Sequence, residues 1–414
     1  MSKSTQQTGT MQHRLGQHYS KEIELVAPYD DVLLTVAPNY KVVDPFCGEG
    51  HLLFYYLDLF SPAEQLRLVE SKQVLFYDLY EKNIDYVKSE LSHRYNLSSD
   101  LLSEICKVND SLLNPPSDPN FFIITNPPYL AKNVCKKSYP EDFAKYFDSA
   151  KENDYFEIAL KLYSAYPGVW IVPANLLSSD LMLSLRKKLI NHLSTIFIYQ
   201  KKTFESTDIS VCTFYLNPKI SENKKDINFI NDKKSEVSFV ISESGNLVEE
   251  WDIIKSIPNA LNVSQGYQDA KIEQGENCVV LLDTEYKKKE FFISDSHLSL
   301  LKSNVLILRT TDTGTSGGEL GLYTLEEIWG DDAKDALSLV TKVSSRIYTP
   351  IFIPEMSVEE QLSLAKKFNA KLSKLRKKYY SIFLTNYKNS SQGTQRKRIS
   401  FKEAYSLINY INGN

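Results

Sequence analysis

The stretch FFIITNPPYLAKN, residues 121–133, decides the reading of the first half of the chain. Phe121 to Ile124 make an apolar run too short for a helix and cut off by prolines, the pattern of a buried strand. Asn126 precedes a proline and is therefore pushed to extended geometry, so the chain cannot turn helical there. Pro127 and Pro128 stiffen the loop and remove two N–H donors. What the loop offers is acceptors, namely the Asn126 amide oxygen and the proline carbonyls, beside the flat ring of Tyr129. Such a pocket suits a planar molecule bearing an amino group. Hydrogen bonds from that group to two acceptors would draw its nitrogen toward tetrahedral geometry and free its lone pair to attack. A plain Pro-Pro turn closing a strand is the bland alternative.

On either side of this stretch, strand-like and helix-like segments alternate from residue 1 to about 218. YKVVDPF, QVLFYDLY, ICKVNDSLL, GVWIVPA, STIFIYQ and SVCTFYLNPK read as strands. HLLFYYLDLF, NIDYVKSELSHRY, DYFEIALKLYSAY and SLRKKLINHL read as helices. Alternation of this kind predicts an α/β domain with a mainly parallel sheet. The polar segment NPKISENKKD, 217–226, is a candidate boundary. Past it come weaker β-like runs, INFI, EVSFVIS, CVVLLD and NVLILRT, then a Gly/Thr/Ser-rich loop after Arg309. A long helix follows from IPEMSVEEQ onward, with Ser357 and Glu360 spaced as a capping box. Its apolar stripe is predicted to be Leu362, Ala365, Phe368, Leu372 and Leu375.

Three further positions sit where an open α/β sheet binds ligands, at the carboxyl ends of strands. The first is DPFCGEG, 44–50, in which Gly48 and Gly50 permit a tight turn and close backbone approach. It is not the dinucleotide fingerprint, because a third glycine would fall at Leu53. A strand-to-helix turn with incidental glycines is the alternative. The second is Asp78, ending QVLFYD, an acid suited to ribose hydroxyls or else an exposed turn residue. The third is Asp110 in KVNDSLL, able to accept from an exocyclic amine, although aspartate is common in turns.

Composition narrows the class. The 414 residues allow about two domains, and 42% hydrophobic with 24% charged residues is ordinary for a globular protein. No apolar run approaches a membrane span, and the N-terminus lacks the apolar core of a signal peptide, so a cytoplasmic location is expected. The five cysteines are scattered without a CxxC pair and the six histidines without HExxH, so neither a disulfide framework nor a metal is expected. Net charge is only −4, yet residues 361–402 hold twelve Lys or Arg and no acid. That asymmetry suits an acidic partner; a solvated basic helix is the alternative.

DPFCGEG followed by NPPY resembles the D-x-F-x-G-x-G and [DNS]-P-P-[YFW] patterns of the S-adenosylmethionine-dependent N6-adenine DNA methyltransferases. The motif order, with a long region after both, is similar to the gamma class of restriction–modification methylases. The resemblance spans about residues 14–218. It implies a Rossmann-like methyltransferase sheet over residues 1–218, followed by a mixed α+β target-recognition domain over 219–414. It implies that Asp44, Phe46, Gly48, Gly50, Asp78 and Asp110 hold S-adenosylmethionine. LGQHYSKEIELV is similar to the motif that closes over the methionine part, with Tyr19 and Ser20 nearest, although it lacks the frequent Thr-Pro. Asn126, Pro127, Pro128 and Tyr129 match the catalytic motif. Phe204, in KKTFESTDISVCTFYL, matches the aromatic residue that stacks with Tyr129 on a flipped adenine. No covalent enzyme intermediate is implied.

The C-terminal helix resembles the Pro-then-Glu-Gln helix of restriction–modification specificity subunits. Lys366, Lys367, Arg376, Lys377, Arg396, Lys397 and Arg398 are the candidates for the DNA backbone. Double-stranded DNA is thus the expected partner, alongside a separate restriction endonuclease or none. NPPY also occurs in methyltransferases acting on RNA guanine N2 or on a release-factor glutamine. The 285 residues after Tyr129 favour a DNA-reading domain instead. A non-catalytic DNA-binding subunit is the remaining alternative, and the intact motifs speak against it.

Overall fold

A computed structural model describes residues 23–148, 150–199, 203, 209–230, 235–242, 244–265, 273–282, 288–313, 319–330, 336–337, 348–386 and 395–413. The chain divides into two compact units, Met1–Gly245 and Asn246–Asn414.

The first unit is built on a nine-stranded sheet. Its strands are β1 (Lys41–Asp44), β2 (Val74–Asp78), β3 (Cys106–Val108), β4 (Phe121–Thr125), β5 (Gly168–Pro173), β6 (Leu193–Tyr199), β7 (Val211–Leu216), β8 (Lys224–Ile230) and β9 (Ser235–Val240). They lie in the order β3-β2-β1-β4-β5-β7-β6-β8-β9. The first five in that row are mutually parallel. β7 is inserted antiparallel between β5 and β6. The expected α/β fold is found. β4 and β5 are buried along their whole length, as strands covered on both faces must be.

The chain steps outward from β1 through β2 to β3, then returns to lay β4 on the other side of β1. That reversal opens a crevice at the carboxyl ends of β1 and β4, where a doubly wound sheet takes its ligand. DPFCGEG and NPPY leave the sheet at these two strands.

Three expectations shift. ICKVNDSLL gives only the short strand β3, because Ser99–Ile105 is helical and Asp110 opens a turn, its carbonyl accepting from Leu113 and Asn114. SLRKKLINHL is helical as far as His192, tightening to a 3-10 turn over Ile190–His192, and only its last residue, Leu193, passes to β6. INFI and EVSFVIS lie in β8 and β9, and β8 pairs in parallel with β6. The division between units therefore falls at Gly245, past the polar segment where composition suggests a boundary.

The second unit contains a four-stranded sheet of Ser264–Gln265, Tyr348–Phe352, Ile307–Arg309 and Gly321–Tyr323. A three-stranded sheet joins Lys288–Ile293, Gln274–Leu282 and Ala336–Leu337. Trp251 is buried against Phe383 at 4.5 Å and donates to Glu403. The helix Val358–Lys378 starts with the expected capping box of Ser357 and Glu360. Four of the five expected stripe residues, Ala365, Phe368, Leu372 and Leu375, are buried, and only the first position differs. Leu362 is 39% exposed, and Gln361 is fully buried in its place. The Gln361 amide donates to the carbonyls of Ser303 and Met356 and accepts from the Val305 N–H. A satisfied amide can occupy a core position that hydrophobicity alone would deny it. Among the described residues no helix is long and apolar enough to cross a membrane.

Gly168 marks how tightly β4 and β5 approach. A Cβ there would sit 2.3 Å from the Ile123 carbonyl oxygen, part of the neighbouring strand's backbone. Gly168→Ala is expected to lower stability by about 1–3 kcal/mol, read as a lower denaturant midpoint at unchanged slope.

Candidate active site

Asp44 ends β1 and is almost fully buried. Its Oδ1 accepts the Phe46 N–H at 3.0 Å and the Thr125 hydroxyl at 2.6 Å. Thr125 is the last residue of β4, directly before Asn126. One carboxyl oxygen thus fixes the glycine turn and the NPPY loop relative to each other. Burial pushes the Asp44 carboxyl up to about 7, against the two hydrogen bonds that lower it.

The turn itself is shaped by Gly48 and Gly50, at φ 53° and 80°. Gly50 also packs so closely that a Cβ would stand 2.9 Å from the Phe54 ring. Asp78, 2% exposed, faces inward rather than lying on an open turn. It accepts the Gly48 N–H at 2.9 Å, the Tyr80 N–H at 2.8 Å and the Asn83 amide at 2.9 Å. A carboxylate has about four acceptor positions, so one is left for a ligand hydroxyl. Burial raises its pKa despite these donors. Phe46 meets Tyr163 edge-on at 6.0 Å, and the Tyr163 hydroxyl donates to the Ser111 carbonyl. Cys47 is buried, and its thiol is held well above the usual range by desolvation and by Asp78 and Asp44, so it is no nucleophile.

In the second motif Tyr129 is buried. Its hydroxyl lies 2.9 Å from the Ile171 carbonyl of β5 and also bonds the Asn126 side-chain oxygen. Its ring meets Phe156 edge-on at 6.2 Å. Burial drives its phenol far above the usual value, so it stays a donor. Tyr129 therefore anchors the loop to the sheet and orients the Asn126 amide.

Two supports of this site had little or no announcement. Asp154 accepts the Leu130 N–H at 3.0 Å, just after the motif, and the Phe156 N–H at 3.3 Å as N-cap of the helix Tyr155–Tyr163. An Asp before an apolar helix is a legible cap signal, but its reach to Leu130 is not. Asp110 accepts from Lys145 at 2.6 Å and from the Tyr146 hydroxyl at 2.8 Å. Nothing in the sequence links position 110 to 145.

Tyr19, Ser20 and Phe204 lie outside the described residues. The basic candidates separate into two groups. Lys366, Lys367 and Lys377 are exposed, and Arg398 is half-buried. Arg376, Arg396 and Lys397 instead gather around buried Asp312. The Arg376 guanidinium donates to its carboxylate at 2.8 Å, Arg396 to its carbonyl at 2.8 Å, and the Lys397 N–H to its carboxylate at 2.8 Å. The Lys397 amine bonds Asn386, is only 7% exposed, and is pushed down to about 7 by burial. The expected backbone contact through Lys397 is thus replaced by an internal one, since a side chain so enclosed presents no charge to a phosphate. Among the described residues no cluster of His, Cys, Asp and Glu is arranged to hold a metal ion.

A family model described as N-6 DNA Methylase matches residues 10–262. The chain belongs to the N-6 DNA methylase family. No curated protein matches it. Solved structures similar to this chain include a DrdV–DNA complex, at 12% identity over 83% of this chain and 50% of that one, TM-score 0.51. The type IIL restriction-modification enzyme MmeI with DNA is 11% identical over 98% of this chain and 67% of that one, TM-score 0.51. A nuclease-deletion mutant of the type ISP enzyme LlaGI with a DNA substrate mimic is 11% identical over 99% and 48%, TM-score 0.50. At such identities the likeness is one of fold. The chain spans about half the length of the DrdV chain and of the LlaGI deletion mutant and two thirds of MmeI.

The Asp44 bonds generate two predictions. Folding holds this carboxyl protonated between the ordinary 3.8 and about 7. The folded state then binds a proton that the unfolded chain has released, so this contribution to stability is lost as pH rises through that window. Asp44→Asn keeps an Oδ1 acceptor for both donors and removes the ionisation. Thermal unfolding followed from pH 4 to 8 should show a smaller loss of stability in this variant than in wild type. Thr125→Val, which deletes the buried donor at nearly constant volume, should cost about 1–3 kcal/mol in chemical denaturation at neutral pH.

Proposed function

We propose that this protein is a site-specific DNA adenine-N6 methyltransferase that uses S-adenosylmethionine, within a restriction–modification system. The observation carrying the proposal is the Thr125–Asp44 hydrogen bond, which joins a ligand-binding glycine turn to an acceptor-rich NPPY loop at the sheet's reversal point. Family membership supports adenine N6 in DNA over guanine N2 in RNA or a protein glutamine.

The donor set fits an adenosyl cofactor. The N–H groups of Phe46, Cys47, Gly48 and Gly50 are spent on Asp44, Tyr77, Asp78 and Cys47 and hold the turn in shape, Asp78 retains one acceptor position for a ribose hydroxyl, and Asp110 Oδ1 is available for the exocyclic amine. When bound, S-adenosylmethionine supplies an electrophilic methyl group. Asn126 Oδ1 and the Pro127 carbonyl would accept hydrogen bonds from the two N–H groups of the substrate amine and aim its lone pair, and the methylated nitrogen would shed one proton to water. Tyr129 holds the Asn126 amide in place, so the loop meets the base already oriented, and rate comes from positioning.

A target adenine must leave the duplex to reach such a pocket, at a cost of a few kcal/mol. Stacking on Phe204 would offset part of it, at about 1–3 kcal/mol per contact; Tyr129, buried against Phe156 with its hydroxyl on the Ile171 carbonyl, acts as the anchor of the loop rather than as the expected second stacking face. Lys366, Lys367, Lys377 and Arg398 are the candidates for phosphates; Arg376, Arg396 and Lys397 brace the fold from within. The unit Asn246–Asn414 is the candidate reader of sequence. A cognate endonuclease activity, in another chain or another part of the same one, completes the system.

The test is methyl transfer from labelled S-adenosylmethionine to duplex genomic DNA, bulk RNA and a release-factor protein in parallel. Expected is N6-methyladenine at one short recurring DNA motif; label in RNA or protein overturns the substrate. Asn126→Ala should lower transfer by about 10²-fold or more with cofactor affinity near wild type in calorimetry. Loss of both together would remove Asn126 from the catalytic role.

A further inference from the structure

The connection from β4 to the helix Tyr155–Tyr163 occupies residues 126–154, where strand-to-helix loops commonly take about 2–6. Most of the excess is two helices, Lys132–Ser138 and Pro140–Phe147. They share a small apolar core of Leu130, Cys135, Tyr146, Phe147 and Tyr155. This pair turns Lys145 and Tyr146 onto Asp110. Both bonds land on Oδ2. Lys145 also donates to the Tyr146 hydroxyl at 2.9 Å and lies over its ring at 4.7 Å. The Tyr146 ring is fixed in turn against Tyr155 at 5.1 Å, and burial keeps its phenol protonated, with a pKa up to about 12.

We propose that Lys145 and Tyr146 are positioning residues for the cofactor's nucleobase, holding the Asp110 carboxylate so that Oδ1 alone accepts the purine 6-amino group. The proposal rests on the methyltransferase reading and deepens it. A carboxylate with one oxygen held by a cation and a phenol cannot swing to spread its acceptors. Its other oxygen is an acceptor only, which welcomes a 6-amino purine and repels a 6-oxo one. The selectivity for adenosine over inosine in the cofactor is then set by residues of the inserted helices, which need not touch the nucleobase themselves.

The experiment is calorimetric titration of the full chain with S-adenosylhomocysteine and its 6-oxo analogue, S-inosylhomocysteine. Wild type, Lys145→Met, Tyr146→Phe and Asp110→Asn are compared, with thermal unfolding to verify each fold. Wild type is expected to favour the 6-amino ligand. Lys145→Met should weaken that ligand about tenfold, the scale of one charge-assisted hydrogen bond, and narrow the preference; Tyr146→Phe should do so less. Equal weakening of both ligands in Lys145→Met would mean a merely structural role and overturn the proposal, as would unchanged affinities. If Asp110→Asn weakens the 6-amino ligand while Lys145→Met does not, the proposal alone fails. If wild type binds neither ligand, the methyltransferase reading fails and the proposal with it.

Discussion

Everything at the candidate site hangs on a single buried carboxyl oxygen. Asp44 Oδ1 takes one donor from its own turn and one from the last residue of the adjacent strand. The parallel pairing of β1 and β4 aligns the two strands in register, Val43 opposite Ile123, but pairing alone leaves the loops beyond them free. The shared acceptor removes that freedom. It also explains why a costly buried acid stands here rather than an apolar residue, which would pack but could not join two loops.

A second layer of bonds works on the same plan. Asp78 seizes the Gly48 N–H from the β2 side. Asp154 seizes the Leu130 N–H, and Tyr129 reaches across to the β5 carbonyl. Each strand end bordering the crevice thus contributes a tether to one of the two loops. The loops owe their shape to the sheet, a rigid scaffold, and a rigid scaffold is what positional catalysis requires.

Much of this was legible before any coordinates. Phe121–Ile124 and Tyr40–Val43 are apolar runs cut off by proline or glycine turns, and local chemistry decides such elements. The capping box at Ser357 is equally local. What escaped was decided by distant partners. KKD reads as the end of a polar boundary segment, yet it opens β8, which with INFI pairs with β6 in the first sheet. Gln361 displaces Leu362 from the core because Ser303, Val305 and Met356 satisfy its amide. The basic run near the C-terminus looks like an open charged surface until Asp312, far earlier in the chain, pairs its carboxylate with Arg376, takes the Arg396 guanidinium on its carbonyl and binds the backbone N–H of Lys397. Charge counted along a sequence cannot see a counter-ion supplied by the fold.

The inserted helices after NPPY leave and rejoin the sheet through one narrow neck. Ala131 bridges Asp154, and the Lys132 N–H bonds the Asn153 carbonyl. The excursion is therefore closed at its base. Once a neck is closed, added length is inexpensive, since doubling a loop costs only about 0.6 kcal/mol of closure entropy. The sheet is indifferent to what is spliced in between. This point of the fold is a socket for the sheet alone: exchanging the insert would leave the strand pairing intact but would remove the hold of Lys145 and Tyr146 on Asp110 and the packing of Phe147 on Tyr155.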